Sequence, residues 1–176
     1  MEFYHGPSAN FGAEIRANER FAFYGEFGKY IPNTILSSNF DQKGYSWLVE
    51  GKRYFFNGRG YLSMQYMQSD MSYIRSDIIG YSYDYSEYIE YDVTKTFQDL
   101  SIRMGGMYVY NNRWTFNPYI GLGIRRQNAE LTLTRQEAYD REYGGDIKDP
   151  NDWIHRPGIT YYAKLHLGLR VGIKIF

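Results

Sequence analysis

The chain has 176 residues, enough for one domain spanning 1–176, and carries Lys+Arg 20 against Asp+Glu 20. That balance gives no field to draw in nucleic acid, which is excluded as a partner. Cysteine is absent, which excludes disulfides, thiolate nucleophiles and cysteine metal sites. No apolar run is long enough for a transmembrane helix, but the strands of a membrane barrel hide their apolarity by alternating it with polar residues.

Apolar residues recur with period two along most of the chain, the signature of half-buried strands. "NFGAEIRA" (10–17) sets Phe11 and Ile15 against Glu14 and Arg16. "RFAFYGEFGKYI" (20–31) sets Phe21, Phe23 and Phe27 against Tyr24 and Glu26. "GYSWLVEGKRYFF" (44–56) places Trp47, Val49 and Phe55 opposite Glu50 and Lys52. "YLSMQYM" (61–67) and "LSIRMGGMYVY" (100–110) alternate Leu62, Met64, Leu100, Ile102 and Met104 with Ser63, Gln65, Ser101 and Arg103. "RWTFNPYIGLGIR" (113–125) carries Trp114, Phe116, Ile120, Leu122 and Ile124 opposite Gly121, Gly123 and Arg125, with Pro118 placed where a bulge is expected. The closing strand, "AKLHLGLRVGIKIF" (163–176), has Leu165, Leu167, Leu169, Val171 and Ile173 on one face and Lys164, His166, Gly168, Arg170 and Gly172 on the other.

The connections alternate in length. "NER" (18–20), "NGRG" (57–60) and "YNNR" (110–113) read as tight turns, while the segments near 32–43, 76–93 and 127–158 read as long, polar, Tyr-rich loops. Short turns at one end and long loops at the other is the layout of an outer-membrane barrel. Such barrels have an even strand number with both termini on the short-turn side. A strand is therefore expected ahead of 10–17, where only "EFY" (2–4) remains. The expected fold is all-β, an antiparallel, up-and-down, eight-stranded transmembrane β-barrel with its first strand truncated. A cut there would also account for the lack of a basic and then apolar leader after Met1.

Three features favour the aliphatic face meeting lipid over the reverse, soluble arrangement. Glycine shares a face with charge, as the crowded inside of a narrow barrel requires. The charged face carries both signs: Glu14, Glu26 and Glu50 with Arg16, Lys52, Arg103, Arg125, Lys164 and Arg170. Together with His166, these read as an ion-paired plug, because eight strands enclose room for side chains and little else; the competing reading is a pore lining. Trp47 and Trp114 fall near opposite ends of their strands, where aromatic girdles belong. Leu122, Ile124, Leu165, Leu167, Leu169, Val171 and Ile173 are then lipid-facing.

The stretches "SANFGAEIRANERFAFYGEFGKYIPN" (8–33), "YSWLVEGKRYFF" (45–56) and "RWTFNPYIGLGIR" (113–125), the last holding a "PYxGxG" pattern, in this order resemble small outer-membrane β-barrels of Bacteroides-type Gram-negative bacteria, distantly similar to the OmpA transmembrane domain. The resemblance implies an outer-membrane location, lipid as surroundings and the barrel-assembly machinery as a partner in biogenesis. The terminal aromatic that this machinery reads usually shares phase with the lipid-facing residues, whereas here Ile175 holds that phase and Phe176 does not.

The expected role is structural: anchoring, or interaction with a surface protein or glycan through the loops, above all "YIRSDIIGYSYDYSEYIEYD" (73–92), whose tyrosines offer contact area at low entropic cost. The competing reading of that segment is a pair of strands continued upward. A second function reading is a lipid-modifying acyltransferase or lipase built on His5 with Ser69, Asp70, Ser76 or Asp77. A third is a soluble barrel holding a hydrophobic ligand, which needs an aliphatic lumen. No catalytic residue, cofactor or metal is assigned: His5, His155 and His166 are scattered, and three scattered histidines are no metal site.

Overall fold

The computed structural model describes residues 8–30, 40–55, 58–82, 85–132 and 158–174, and apart from Met107 and Lys174 these are strand, turn or bend. The strands are β1 (Ser8–Arg16), β2 (Phe21–Tyr30), β3 (Phe40–Phe55), β4 (Gly60–Ser82), β5 (Tyr85–Gly106), β6 (Tyr108–Tyr110), β7 (Trp114–Thr132) and β8 (Gly158–Ile173). Every pairing is antiparallel and between neighbours in the chain, giving one up-and-down sheet curled into a half-barrel.

β6 is the end of β5 and not a separate stave. The two pair with β7 in one unbroken register, Gly105 opposite Tyr119 and Tyr108 opposite Phe116. The ladder lapses at Met107, whose N–H is bonded instead to the Arg59 carbonyl at 2.8 Å. The two positions unpaired with β7, Gly106 and Met107, lie across from Pro118 and Asn117; proline has no N–H to give, so the expected bulge is an interruption without a register shift. The long staves are thus β1, β2, β3, β4, β5 with β6, β7 and β8. "EFY" (2–4), the expected first strand, and Phe176 lie outside the described residues, within which β1 and β8 each pair on one side only.

Three tight turns share one end of the sheet. Asn18 Oδ1 accepts the Arg20 and Phe21 N–H groups at 2.8 and 2.9 Å, the local bonding that makes asparagine a turn former. Asn111 and Asn112 hold φ of 50° and 55°, as a two-residue hairpin turn of the twist-matched kind requires. At the other end, 76–93 is not a long loop. β4 runs on to Ser82 and β5 begins at Tyr85, paired in register from Ile74 opposite Asp92 up to Ile79 opposite Glu87. The upward-strand reading of this segment is the one the backbone adopts. β7 likewise continues to Thr132.

Period two sorts the side chains between two faces. The convex face carries Phe11, Ile15, Phe23, Phe27, Val49, Met64, Leu100, Ile102, Leu122, Ile124, Leu165, Leu167, Leu169, Val171 and Ile173, all exposed. The concave face holds the buried polar residues Glu50, Lys52, Gln65, Asp99, Ser101, Arg103, Arg125 and His166. It is not uniformly polar, as the plug reading expected. Tyr30, Met71, Tyr73, Tyr91, Val93 and Phe97 form an apolar cluster toward the long-connection end. Ala22, Tyr54 and Tyr61, with Met107 and Tyr119 against them, form another toward the turns. The carboxylates Glu50 and Asp99 and their cations lie between these two apolar layers, while buried Lys95 stands within the first, over Tyr73 at 5.6 Å.

Candidate functional site

The inner face is built of rows of paired residues, one per strand. Glu14, Tyr24, Glu50, Gln65, Ser101, Gly123 and Lys164 make one row across the whole sheet. Arg16, Ala22, Lys52, Ser63, Arg103, Gly121 and His166 make the next toward the turns. Curling brings residues from distant strands in these rows within reach of one another.

Charges at the centre are paired across strands. Asp99 on β5 accepts from Arg125 Nε and Nη2, both at 2.5 Å, and from Lys164 Nζ at 2.8 Å. Glu50 on β3 accepts from Arg170 Nη1 at 2.5 Å and Ser63 Oγ at 2.6 Å. Glu14 takes Lys52 Nζ at 2.5 Å and the Tyr54 hydroxyl at 2.7 Å. Glu26 takes the Tyr24 hydroxyl at 2.6 Å and Asn10 Nδ2 at 3.1 Å, with Arg170 Nε 3.7 Å away. The β8 guanidinium of Arg170 therefore reaches carboxylates on both β2 and β3 across the lumen. Bidentate and charge-assisted bonds of this kind are the strong ones, and a low-dielectric interior tolerates charge only when it is so satisfied.

Aromatic rings fill the space between the ion pairs. Arg170 lies over Tyr24 at 4.1 Å and over Tyr119 at 5.1 Å, and Arg103 lies over Tyr119 at 4.5 Å. The rings need room, which glycine supplies: a methyl group on Gly168 would sit 2.6 Å from Tyr119 Cζ. Gly12 is overlaid by Tyr24, and Gly105 by Tyr61, in the same way. This is why glycine and charge share a face in the sequence.

Nine of the ten expected inner residues are gathered in this lumen. Arg16 departs: its side chain is 45% exposed at the turn-side mouth, over Tyr54 at 4.6 Å and with Nη2 3.1 Å from Met107 Sδ. The inner residues that sequence reading missed are Asp99, which organises Arg125 and Lys164, and the apolar layers around Phe97 and Tyr61. Asp99 does alternate in phase with Ser101 and Arg103, a signal available from period two.

On the outer face, Trp114 through Ile124 on β7 stays apolar at every outward position, after which Arg126 bonds Gln98 at 2.7 Å. Gln68 and Asp70 on β4 begin a polar patch at the same end, where Thr96 donates to Asp70 at 2.8 Å. Trp47 packs on Tyr66 at 5.3 Å beside Gln68, its register partner, and Trp114 stands exposed near the turns.

The residues considered for an enzyme are not brought together among those described. Ser69 faces inward and bonds Tyr30 at 2.6 Å, while Asp70 faces outward. His5 and His155, and the side chains of Ser76 and Asp77, lie outside the described residues. His166 faces the lumen against Arg103, 3.1 Å from Nδ1 to Nη2. No group of three metal-ligating side chains occurs among the described residues. No family model, curated protein or solved structure matches the chain.

Proposed function

We propose that this chain is a transmembrane β-barrel of the outer-membrane type, with a filled, ion-paired lumen, whose work is anchoring or surface interaction through its outward end. The observation that carries the reading is the inverted polarity of the sheet. The aliphatic residues of β7 and β8 face out, Leu167 being 78% exposed, while Glu50, Lys52, Asp99 and Arg125 are buried on the concave side. A water-soluble protein has no reason to expose a continuous apolar surface of this extent. The belt also has the right height. From Trp114 to Ile124, strand rise of ~3.3 Å per residue at a tilt of about 40° gives about 25 Å, the height of the apolar band of outer-membrane barrels.

The resemblance to Bacteroides-type barrels agrees with this reading and points to the outer membrane, with the assembly machinery as a partner in biogenesis. The ribbon of β4 and β5 beyond the belt is the element on offer to a surface protein or glycan. A soluble barrel for a hydrophobic ligand would need an aliphatic lumen, and the lumen is charged and aromatic. The test is Leu167→Arg. In a bilayer it removes roughly 2–4 kcal/mol near mid-depth and sharply lowers the folded, heat-modifiable fraction recovered with lipid vesicles. In a soluble protein the same surface change stays within about 0.5 kcal/mol, and a detergent-independent, fully folded variant would end the proposal.

A further inference from the structure

Within the lumen, the polar atoms left without partners share one character. They are Arg103 Nε and Nη1, Gln65 Nε2, Ser101 Oγ and His166 Nε2. Their residues are each at least nine-tenths buried. Arg103 Nη2 can only donate, so His166 Nδ1 accepts its bond at 3.1 Å and the imidazole proton resides on Nε2. The arginine nitrogens, the Gln65 amide nitrogen and His166 Nε2 can then do nothing but donate, and the Ser101 hydroxyl can donate as well. Every unmet group in this set is a donor.

The register collects them. Gln65 pairs with Ser101, and Ser101 with Gly123. Arg103 stands one inner position along from Ser101, and Gly121 separates it from His166. On β7 this level presents only glycine, and β5 lies so close that a methyl on Gly121 would sit 2.6 Å from Arg103 Cγ. The surrounding carboxylates are engaged elsewhere: Asp99 with Arg125 and Lys164, and Glu50 with Arg170 and Ser63. Among the described residues, Arg103 has no carboxylate partner, although a buried guanidinium needs one.

We infer that Arg103, His166, Gln65 and Ser101 form a buried site for one small monovalent anion, of halide or formate size, that supplies the missing acceptor and charge. Water is the poorer occupant, since it brings no charge and directs two protons at a set in which only the Ser101 hydroxyl can accept. Arg103 is stacked on Tyr119, and the two apolar clusters lie toward either end of the sheet from this level. The inference stands apart from where the protein resides, because it uses the lumen alone.

The full chain, folded in detergent, is crystallised and soaked in sodium bromide. Anomalous density touching Arg103 and His166 is expected; density for water alone, with no bromide, overturns the proposal. In parallel, chloride replaces gluconate at fixed ionic strength while Tm is followed. A hundred-fold rise above the dissociation constant should lift Tm by about 5–10 °C. Arg103→Gln should abolish that dependence, and Ser101→Ala, a milder change for the case where the first does not fold, should shrink it. An unchanged chloride response in a folded variant, or no response in the unaltered chain, refutes the site.

Discussion

Replacing Asp99 by asparagine tests whether the lumen holds its staves together by ion pairing. Asparagine keeps the volume and one acceptor oxygen but removes the charge that Arg125 and Lys164 share. Asp99 and Arg125 side chains are 1% and 3% exposed, so the guanidinium left behind has almost no access to water. Stranding a buried charge costs about 3–5 kcal/mol. Lys164, at 22% exposed, can recover part of its hydration and adds little to this. With a urea slope of about 2 kcal/mol/M, the midpoint for unfolding should fall by about 2 M. Tryptophan emission and the heat-modifiable band, read on the same samples, give the folded fraction. Asp99→Asn combined with Arg125→Met should restore most of the loss, because the buried cation whose carboxylate was removed is gone as well. A fall in the single variant of less than about 0.5 M, the worth of an exposed pair, would mean that water already fills the lumen and that the ion pairs do not hold it.

Two further outcomes are expected. Gly168→Val drives a side chain into the Tyr119 ring and should cost about 1–3 kcal/mol; Tyr119→Leu should relieve that loss in a double-mutant cycle, and simple additivity would show that the ring does not rest on the glycine. Single-tryptophan proteins retaining Trp47 or Trp114 should both be quenched more by lipids brominated near the glycerol than near the chain ends, since each residue stands at a boundary of the belt; stronger deep quenching of either would misplace that boundary.

Period two was enough to give the strands and their two faces, because a strand side chain has only two directions and the inner and outer sets differ in charge. Leu165 to Ile173 and Lys164 to Arg170 could be sorted that way without coordinates. What the pattern could not give is partnership. Glu50 meets an arginine on the last strand, and nothing local to either residue specifies that. The reach of β4 and β5 was hidden for a different reason. Their upper halves are built of Tyr, Ser and Asp, residues that serve turns and water-exposed strands equally well, so composition reads as loop where the backbone pairs. Arg103 looked like one more member of a balanced network, and only the unmet donors around it set it apart.

The paired extension of β4 and β5 changes what first encounters this molecule. From Gln68 to Ser82, the same rise and tilt carry the ribbon about 35 Å past the apolar belt, more than the ~30 Å thickness of a hydrocarbon core. Among the described residues, the ribbon runs on as a narrow mast above the levels where β3 and β7 stop pairing with it. With the belt embedded in a bilayer, an approaching body touches the masthead before any headgroup, and a push there acts through a long arm on the charged joints at its foot.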